Sequence, residues 1–197
     1  MASSMSDGAA SDLVAGRTCG SCTACCTLFP IDEPDLVKQA GVPCQHLAGG
    51  GCGLHPNWPK VCGAWFCGWR RLPRLGDEWR PDRSGIVVVF DAEGVPADYP
   101  ERPALKFILT GPDRVLYTQA FLGYVAGLVG ARVPVLLAIP GPVGTFGAKA
   151  FLNRRLEPAV ARRDAGEMIR IVSETLQVLR SGSFEAVAFA HGDPPAA

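Results

Sequence analysis

The chain has no excess of charge of either sign and no long uninterrupted apolar stretch. Its 197 residues include 19 basic and 19 acidic side chains, giving a formal net charge of zero. Such a chain lacks the positive field that attracts phosphate backbones or anionic lipid, so nucleic acid is not an expected partner. Residues 115–148 contain only one charged side chain, Arg132, but glycines and Pro134 divide them into parts shorter than the ~18 apolar residues of a membrane span. No membrane partner is expected.

The first residues lack the features of a secretion signal. Residues 1–17 are rich in Ser, Ala, Gly and Asp, without a basic start or an apolar run of signal-peptide length. We therefore expect a disordered lead-in over residues 1–16 and a cytoplasmic protein. A reducing cytosol would keep cysteines as thiols, which disfavours disulfides.

Cysteine is missing from the last 130 residues of the chain, yet it is abundant before them. The eight cysteines are Cys19, Cys22, Cys25, Cys26, Cys44, Cys52, Cys62 and Cys67. Cysteines used only for packing would be scattered, so this clustering indicates one shared role: disulfides, redox exchange or metal ligation. A thioredoxin-type motif would follow a strand, and none is predicted before Cys19. Metal ligation is the favoured role, with all eight cysteines as predicted ligands.

The cysteine spacing is suited to a metal site. Two thiolates three residues apart can reach one ion, and Gly20 between them lets the backbone come close. Cys19, Cys22 and either Cys25 or Cys26 offer three thiolates from one short segment, and the later cysteines complete the coordination. Eight thiols suffice for two four-sulfur sites, for one polynuclear cluster, or for one site with several cysteines to spare.

The adjacent pair Cys25 and Cys26 is not expected to bind one mononuclear ion, because neighbouring side chains point ~100° apart on a helix. A helical segment would group Cys26 with Cys19 and Cys22 and turn Cys25 toward a second ligand set or the core. His46 and His55 lie close to cysteines in sequence and could supply nitrogen ligands. The favoured role for both is a loop histidine that bonds a sulfur or carbonyl, since the thiolates alone suffice.

Four tryptophans lie within or just after the cysteine block, at positions 58, 65, 69 and 79. A short metal-stabilised segment has little core of its own, and indole rings supply large buried areas. Packing around the metal is therefore favoured over stacking with nucleobases, in agreement with the balanced charge.

The order of the cysteines resembles that of a known family. Residues 19–26 read CxxCxxCC, and four further cysteines follow in order. This pattern resembles the YkgJ-type cysteine-cluster family, described as a zinc- or iron-chelating domain, over about residues 17–70. The chain departs from the family at His55, where an aromatic is usual, and at Trp58 with Pro59, where Arg-Pro is usual. The resemblance implies zinc or iron, with an iron–sulfur cluster as a further option.

The resemblance also supplies an alternative function. Larger relatives of the family include the enzyme that methylates flagellin lysines, and iron–sulfur clusters have been proposed among its members. The alternative is thus an iron–sulfur protein that acts as an enzyme, or a component of one, in protein modification such as lysine methylation.

Residues 71–197 are expected to form an α+β body. Compact apolar runs predict strands at 85–90, 105–110 and 133–139, the first two antiparallel. A helix is predicted from Asp113, as its cap, to about Val129. Residues 146–163 have helical character, and Asp164 with Glu167 forms a capping box for a last helix. The apolar stripe of that helix is Met168, Ile171, Val172, Thr175, Leu176 and Leu179.

The predicted fold is therefore α+β, with an N-terminal cysteine-rich metal-binding segment (17–70) docked on a small body of about three strands and two to four helices. The body lacks a recognisable catalytic constellation. Residues 141–147 are glycine-rich but lack the lysine of a phosphate loop. The sequence favours a metal-binding protein, not an enzyme, whose metal is structural or chelated. The metal ion is the expected partner, and the sequence names no protein partner.

Overall fold

The computed structural model describes residues 12–55, 57–99, 103–192 and 194. The cysteine-rich part contains only short elements. They are α1 (Ala24–Leu28), β1 (Ile31–Glu33), β2 (Leu36–Lys38), β3 (Leu47–Ala48), β4 (Gly51–Cys52) and α2 (Lys60–Ala64). β1 pairs with β2 and β3 with β4, each as an antiparallel hairpin. Cys25 and Cys26 lie in α1, Cys52 in β4 and Cys62 in α2, and the other four cysteines lie in turns and loops.

The following residues form longer elements. These are α3 (Gly68–Arg71), α4 (Pro81–Ser84), β5 (Ile86–Asp91), β6 (Ala104–Leu109), α5 (Gln119–Gly130), β7 (Val135–Ile139), β8 (Ala148–Phe151), α6 (Asn153–Arg162) and α7 (Ala165–Ser181). Strands β5 to β8 make one sheet in sequence order. Its outer pairs are antiparallel, whereas β6 and β7 are parallel because α5 crosses between them. The predicted α+β class is confirmed.

Both faces of this sheet are covered. Val88, Phe107 and Leu137 belong to the larger core, which they share with α5, α6 and α7. The alternate residues Val87 and Ile108 belong to a second core on the other side of the sheet. Partly buried residues of the cysteine-rich segment pack against that second core: Ala24, Leu28, Phe29 and Cys67. Because side chains alternate along a strand, the continuous apolar run of β5 is buried on both faces.

Most of the predicted elements of the body are present. The strands predicted at 85–90 and 105–110 are β5 and β6, paired antiparallel as expected, and the strand predicted at 133–139 is β7. The helix predicted over 146–163 is wrong in its first part. Residues 148–151 pair with β7 as β8, with Ala150 opposite Leu137, and the helix begins only at Asn153. Pairing with a buried strand outweighs the weak local helical preference.

The capping box of the last helix is confirmed, since the Asp164 side chain accepts a hydrogen bond from the Glu167 amide at 2.9 Å. All six residues of its predicted apolar stripe are buried. The other predicted cap is wrong. A 3-10 helix spans Asp113–Tyr117, and Thr118 instead caps α5 by accepting from the Phe121 amide at 3.3 Å. Asp113 pairs with Arg180 of α7, with N–O distances of 2.6 and 2.7 Å.

Residues 185–191 return to the cysteine-rich segment. The Phe146 amide donates to the Glu185 carbonyl at 2.8 Å, which holds the tail beside the loop before β8. Farther along, Asp32 of β1 accepts from the amides of Ala190 and His191 at 2.7 and 3.0 Å. The tail therefore connects the body to the first hairpin.

Residues 1–11 of the expected lead-in lie outside the described residues. Just after them, the Val14 amide donates to the Arg70 carbonyl at 2.8 Å. The Arg17 guanidinium donates to the carbonyls of Trp69, Leu72 and Leu75. These hydrogen bonds hold residues 14–17 against α3 and the turn that follows it. Among the described helices, none combines the length and the apolar character needed to cross a bilayer.

Candidate metal centre

All eight cysteines are free thiols of intermediate exposure. Four of them line a common cavity, and we call these the first thiol set: Cys19, Cys22, Cys25 and Cys67. The remaining lining residues are Trp69, Arg70, Pro81 and Val87. The cavity is small, about 20 Å³, against the ~10–15 Å³ that holds one water-sized sphere.

Local backbone geometry places the first thiol set. The Cys22 amide donates to the Cys19 carbonyl at 2.9 Å, which closes the turn between these two cysteines. Gly20 within the turn has φ of +52°, a left-handed conformation that favours glycine. Cys67 is brought to the same place by α3, whose first residue, Gly68, lies against Val88 of β5. A turn and a helix start, 48 residues apart, therefore meet at one cavity.

The surroundings of the first thiol set combine burial with positive charge. Burial raises the pKa of the Cys19 thiol, and the nearby Arg70 guanidinium partly offsets this. Burial also raises the pKa of Cys67. The backbone amides of Arg70 and Trp69 act on the pKa of this thiol in the opposite direction. Two buried donors of cavity-lining residues, Arg70 Nε and Trp69 Nε1, have no hydrogen-bond acceptor among the described residues.

The remaining four cysteines form what we call the second thiol set: Cys26, Cys44, Cys52 and Cys62. The Cys44 amide donates to the Cys26 carbonyl at 2.9 Å, and the Leu47 amide donates to the Cys44 carbonyl at 3.0 Å. Leu47 in turn pairs with Cys52 across the β3–β4 hairpin. Burial, followed by the charges of the Cys26, Cys44 and Cys52 thiols, raises the pKa of Cys62 to about 11. Cys62 of α2 thus lies beside the other three thiols.

A buried lysine accompanies the second thiol set. Lys38 is 3% exposed, and its Nζ donates to the carbonyls of Thr27, Gln39 and Val42 at 3.0, 2.7 and 2.8 Å. Burial lowers the pKa of Lys38, while the neighbouring thiols, Cys44 first and then Cys26 and Cys25, favour its charged form. Arg70 therefore lies beside the first thiol set, and Lys38 lies close to members of both sets.

The two thiol sets touch at neighbouring residues. The interaction between the Cys25 and Cys26 thiols raises the pKa of Cys25 and lowers that of Cys26 to about 7. The grouping of Cys26 with Cys19 and Cys22 stays a prediction: Cys25, not Cys26, lines the cavity of these two cysteines, but the Cys26 thiol acts on the pKa of both Cys19 and Cys62. Helix α1 begins only at Ala24, so helical periodicity does not extend back to Cys19 and Cys22.

The histidines and tryptophans occupy several environments. His55 packs edge-on against Trp58, with ring centroids 4.7 Å apart. His46 Nε2 lies 3.4 Å from the side-chain Nε2 of Gln45. Both contacts favour the role of loop histidines over ligation. The rings of the later tryptophans, at 69 and 79, belong to the larger core. Trp69 also lines the cavity of the first thiol set, so one indole packs beside the predicted metal site.

Across the described part of the chain, no three His, Cys, Asp or Glu side chains already stand in an arrangement that could hold a metal ion. The two thiol sets are therefore groups of neighbouring side chains, not formed coordination spheres. Rotation about the Cα–Cβ bond moves a cysteine sulfur among three staggered positions. A cysteine whose backbone is already close can therefore turn its sulfur toward a shared ion.

No family model matches the chain, and neither the curated proteins nor the solved structures contain a match to it. The resemblance of residues 17–70 to the YkgJ-type family thus stays a prediction. The placement of the thiols and of their charged neighbours is the basis for a functional proposal.

Proposed function

We propose that this chain is a zinc- or iron-binding protein whose cysteine cluster holds the metal in a structural or chelating role. The observation that carries the proposal is the gathering of all eight cysteines into two adjacent groups of four free thiols. Four sulfur ligands complete a tetrahedral site for zinc, and thiolates also suit iron. The YkgJ-type resemblance leads to the same metals.

A structural role is supported by the poor core of the cysteine-rich segment. Among the described residues from 17 to 66, only Leu36, Lys38 and Ala40 are buried, and α1 and α2 bury none of their residues. A segment of this size gains little stability from so small a core. A structural zinc site contributes about 10–16 kcal/mol of apparent binding free energy. Metal binding would therefore dominate the folding of this segment.

The charges around the thiols also support the proposal. Four thiolates around a divalent ion leave two negative charges, which a nearby cation stabilises. Arg70 lies beside the first thiol set, and Lys38 lies near Cys44, Cys26 and Cys25, so both cations are placed to do this.

The enzyme-component function that an iron–sulfur cluster would serve is the second candidate, because thiolate ligands suit zinc, iron and iron–sulfur clusters alike. Free thiols throughout the cluster agree with a reducing compartment, and we place the protein in the cytoplasm.

The proposal is tested by elemental analysis of the full chain purified without oxygen. We expect bound zinc or iron, and a colourless sample if the metal is zinc, because Zn²⁺ is d¹⁰. Chelation should abolish amide-exchange protection in residues 17–66 and preserve it in β5–β7, and added Zn²⁺ should restore it. A reduced preparation that holds no transition metal, and whose eight thiols all react at once with an alkylating reagent, would reject the proposal.

A further inference from the structure

The contacts of the cysteines divide them into two groups with different surroundings. The first thiol set lines a cavity between α3 and β5, beside Arg70. The second set is joined by the backbone bond between Cys26 and Cys44 and by the β3–β4 pairing, beside Lys38. The sets meet where Cys25 and Cys26 follow one another in the chain.

We infer, on the basis of the proposed function, that the chain carries two separate four-sulfur sites with one ion each. The first is held by Cys19, Cys22, Cys25 and Cys67, and the second by Cys26, Cys44, Cys52 and Cys62. No sulfur is shared between them. The consecutive residues Cys25 and Cys26 provide one ligand to each site, so the two sites are neighbours along the backbone.

Two features support this arrangement over one polynuclear cluster. One cavity is lined by four of the eight sulfurs, the number that tetrahedral coordination requires, and by none of the others. Three of the remaining four cysteines are joined by backbone contacts outside that cavity: the Cys44 amide donates to the Cys26 carbonyl, and Leu47, bonded to Cys44, pairs with Cys52.

Zinc stoichiometry of single and double variants tests the inference. The full chain, reduced and loaded with Zn²⁺, should retain two ions. Cys67→Ala and Cys62→Ala should each retain one, and the double variant none. Ser21→Ala, which changes a non-ligand residue in the turn of the first set, should retain two. Retention of one ion by the unchanged chain, or loss of both ions from either single variant, would overturn the two-site arrangement.

Cadmium loading of the unchanged chain gives a test that does not depend on the folding of variants. Two ¹¹³Cd resonances in the range of four-sulfur coordination, without coupling between the two nuclei, are expected because no sulfur is shared. A single resonance, or splitting through a bridging sulfur, would overturn the inference while leaving metal binding intact. Absence of both Zn²⁺ and Cd²⁺ from the loaded protein would instead reject the proposed function itself.

Discussion

Gly68 lies against Val88 so closely that a β-carbon added to Gly68 would come within 2.8 Å of the Val88 Cγ1 atom. Only glycine therefore lets α3 approach β5 to this distance. Cys67 immediately precedes Gly68, and its sulfur belongs to the first thiol set. The contact between Gly68 and Val88 thus fixes the position of one predicted ligand relative to the sheet.

Replacing Gly68 should disturb both packing and metal binding. Gly68→Ala should lower the free energy of unfolding by about 1–3 kcal/mol, because the added methyl group overpacks the site. It should also weaken zinc binding by displacing Cys67. Denaturant unfolding and zinc titration measure the two effects. Gly63→Ala is the matched control, since a β-carbon there meets no atom within 4 Å; equal effects of the two changes would contradict this account.

Replacing the buried lysine should destabilise the cysteine-rich segment. Lys38→Met leaves the carbonyls of Thr27, Gln39 and Val42 without their charged donor and should cost about 1.5–3 kcal/mol. Denaturant unfolding of the metal-loaded protein measures the loss. The exposed Lys60, in the same segment, gives the control Lys60→Met, for which a change within about 0.5 kcal/mol is expected. Equal stability of Lys38→Met and the unchanged protein would contradict the structural role of this ammonium group.

Removing the cation beside the first thiol set should weaken zinc binding by that set alone. In a Cys62→Ala background, Arg70→Met should lower zinc affinity roughly 10-fold, the size typical of residues that support metal ligands. Competition with a coloured chelator measures the affinity. Arg71→Met is the control, because the Arg71 guanidinium lies over the Phe90 ring, 5.0 Å from its centroid. An unchanged affinity in the Arg70 variant would show that this cation does not act on the thiols.

A pH-dependent contribution to stability is expected from Asp91. Its Oδ2 lies 2.6 Å from Lys106 Nζ and 2.9 Å from Lys149 Nζ. Burial opposes ionisation of Asp91, but hydrogen bonds from the two lysines outweigh it, so the pKa of Asp91 is lowered. The folded state then binds fewer protons than the unfolded state, and the stabilisation is present above the ordinary pKa of ~3.9 and is lost as the pH falls through the folded value.

Comparison with an asparagine variant isolates this contribution. Asp91→Asn should lower the free energy of unfolding by about 1 kcal/mol at neutral pH, since the ion pairs are partly exposed. The difference from the unchanged protein should shrink in acid, where the carboxyl group of both folded and unfolded chains is protonated. Loss of metal in acid affects both proteins and does not enter the difference. A difference that stays constant from neutral to acid pH would contradict the prediction.

The elements that the sequence predicted correctly are those with strong local signals. β5 has a run of β-branched residues, and α7 combines the Asp164 cap with a regular apolar stripe. β8 was missed because residues 148–151 contain no β-branched side chain, and their extended conformation depends on pairing with β7. Such pairing depends on residues distant in sequence, so no local pattern indicates it.

The candidate site shows the same division between local and distant information. Clustering alone predicts that the eight cysteines share one role. Their division into sets was not predictable, because it depends on where α1 begins and on which thiols meet Cys62. Arg70 lies three residues after Cys67, which is a local hint of its role. Lys38 gives no such hint, since its burial results from loop carbonyls that close around its ammonium group.

The position of Leu28 and Phe29 on the sheet has a consequence for biosynthesis. These residues pack against a buried cluster that includes Ile108 and Ala138, which a ribosome adds long after the last cysteine. At 5–20 residues per second, the nascent thiols wait on the order of ten seconds for the complete surface. A metal ion bound early would hold the thiols together before that surface exists.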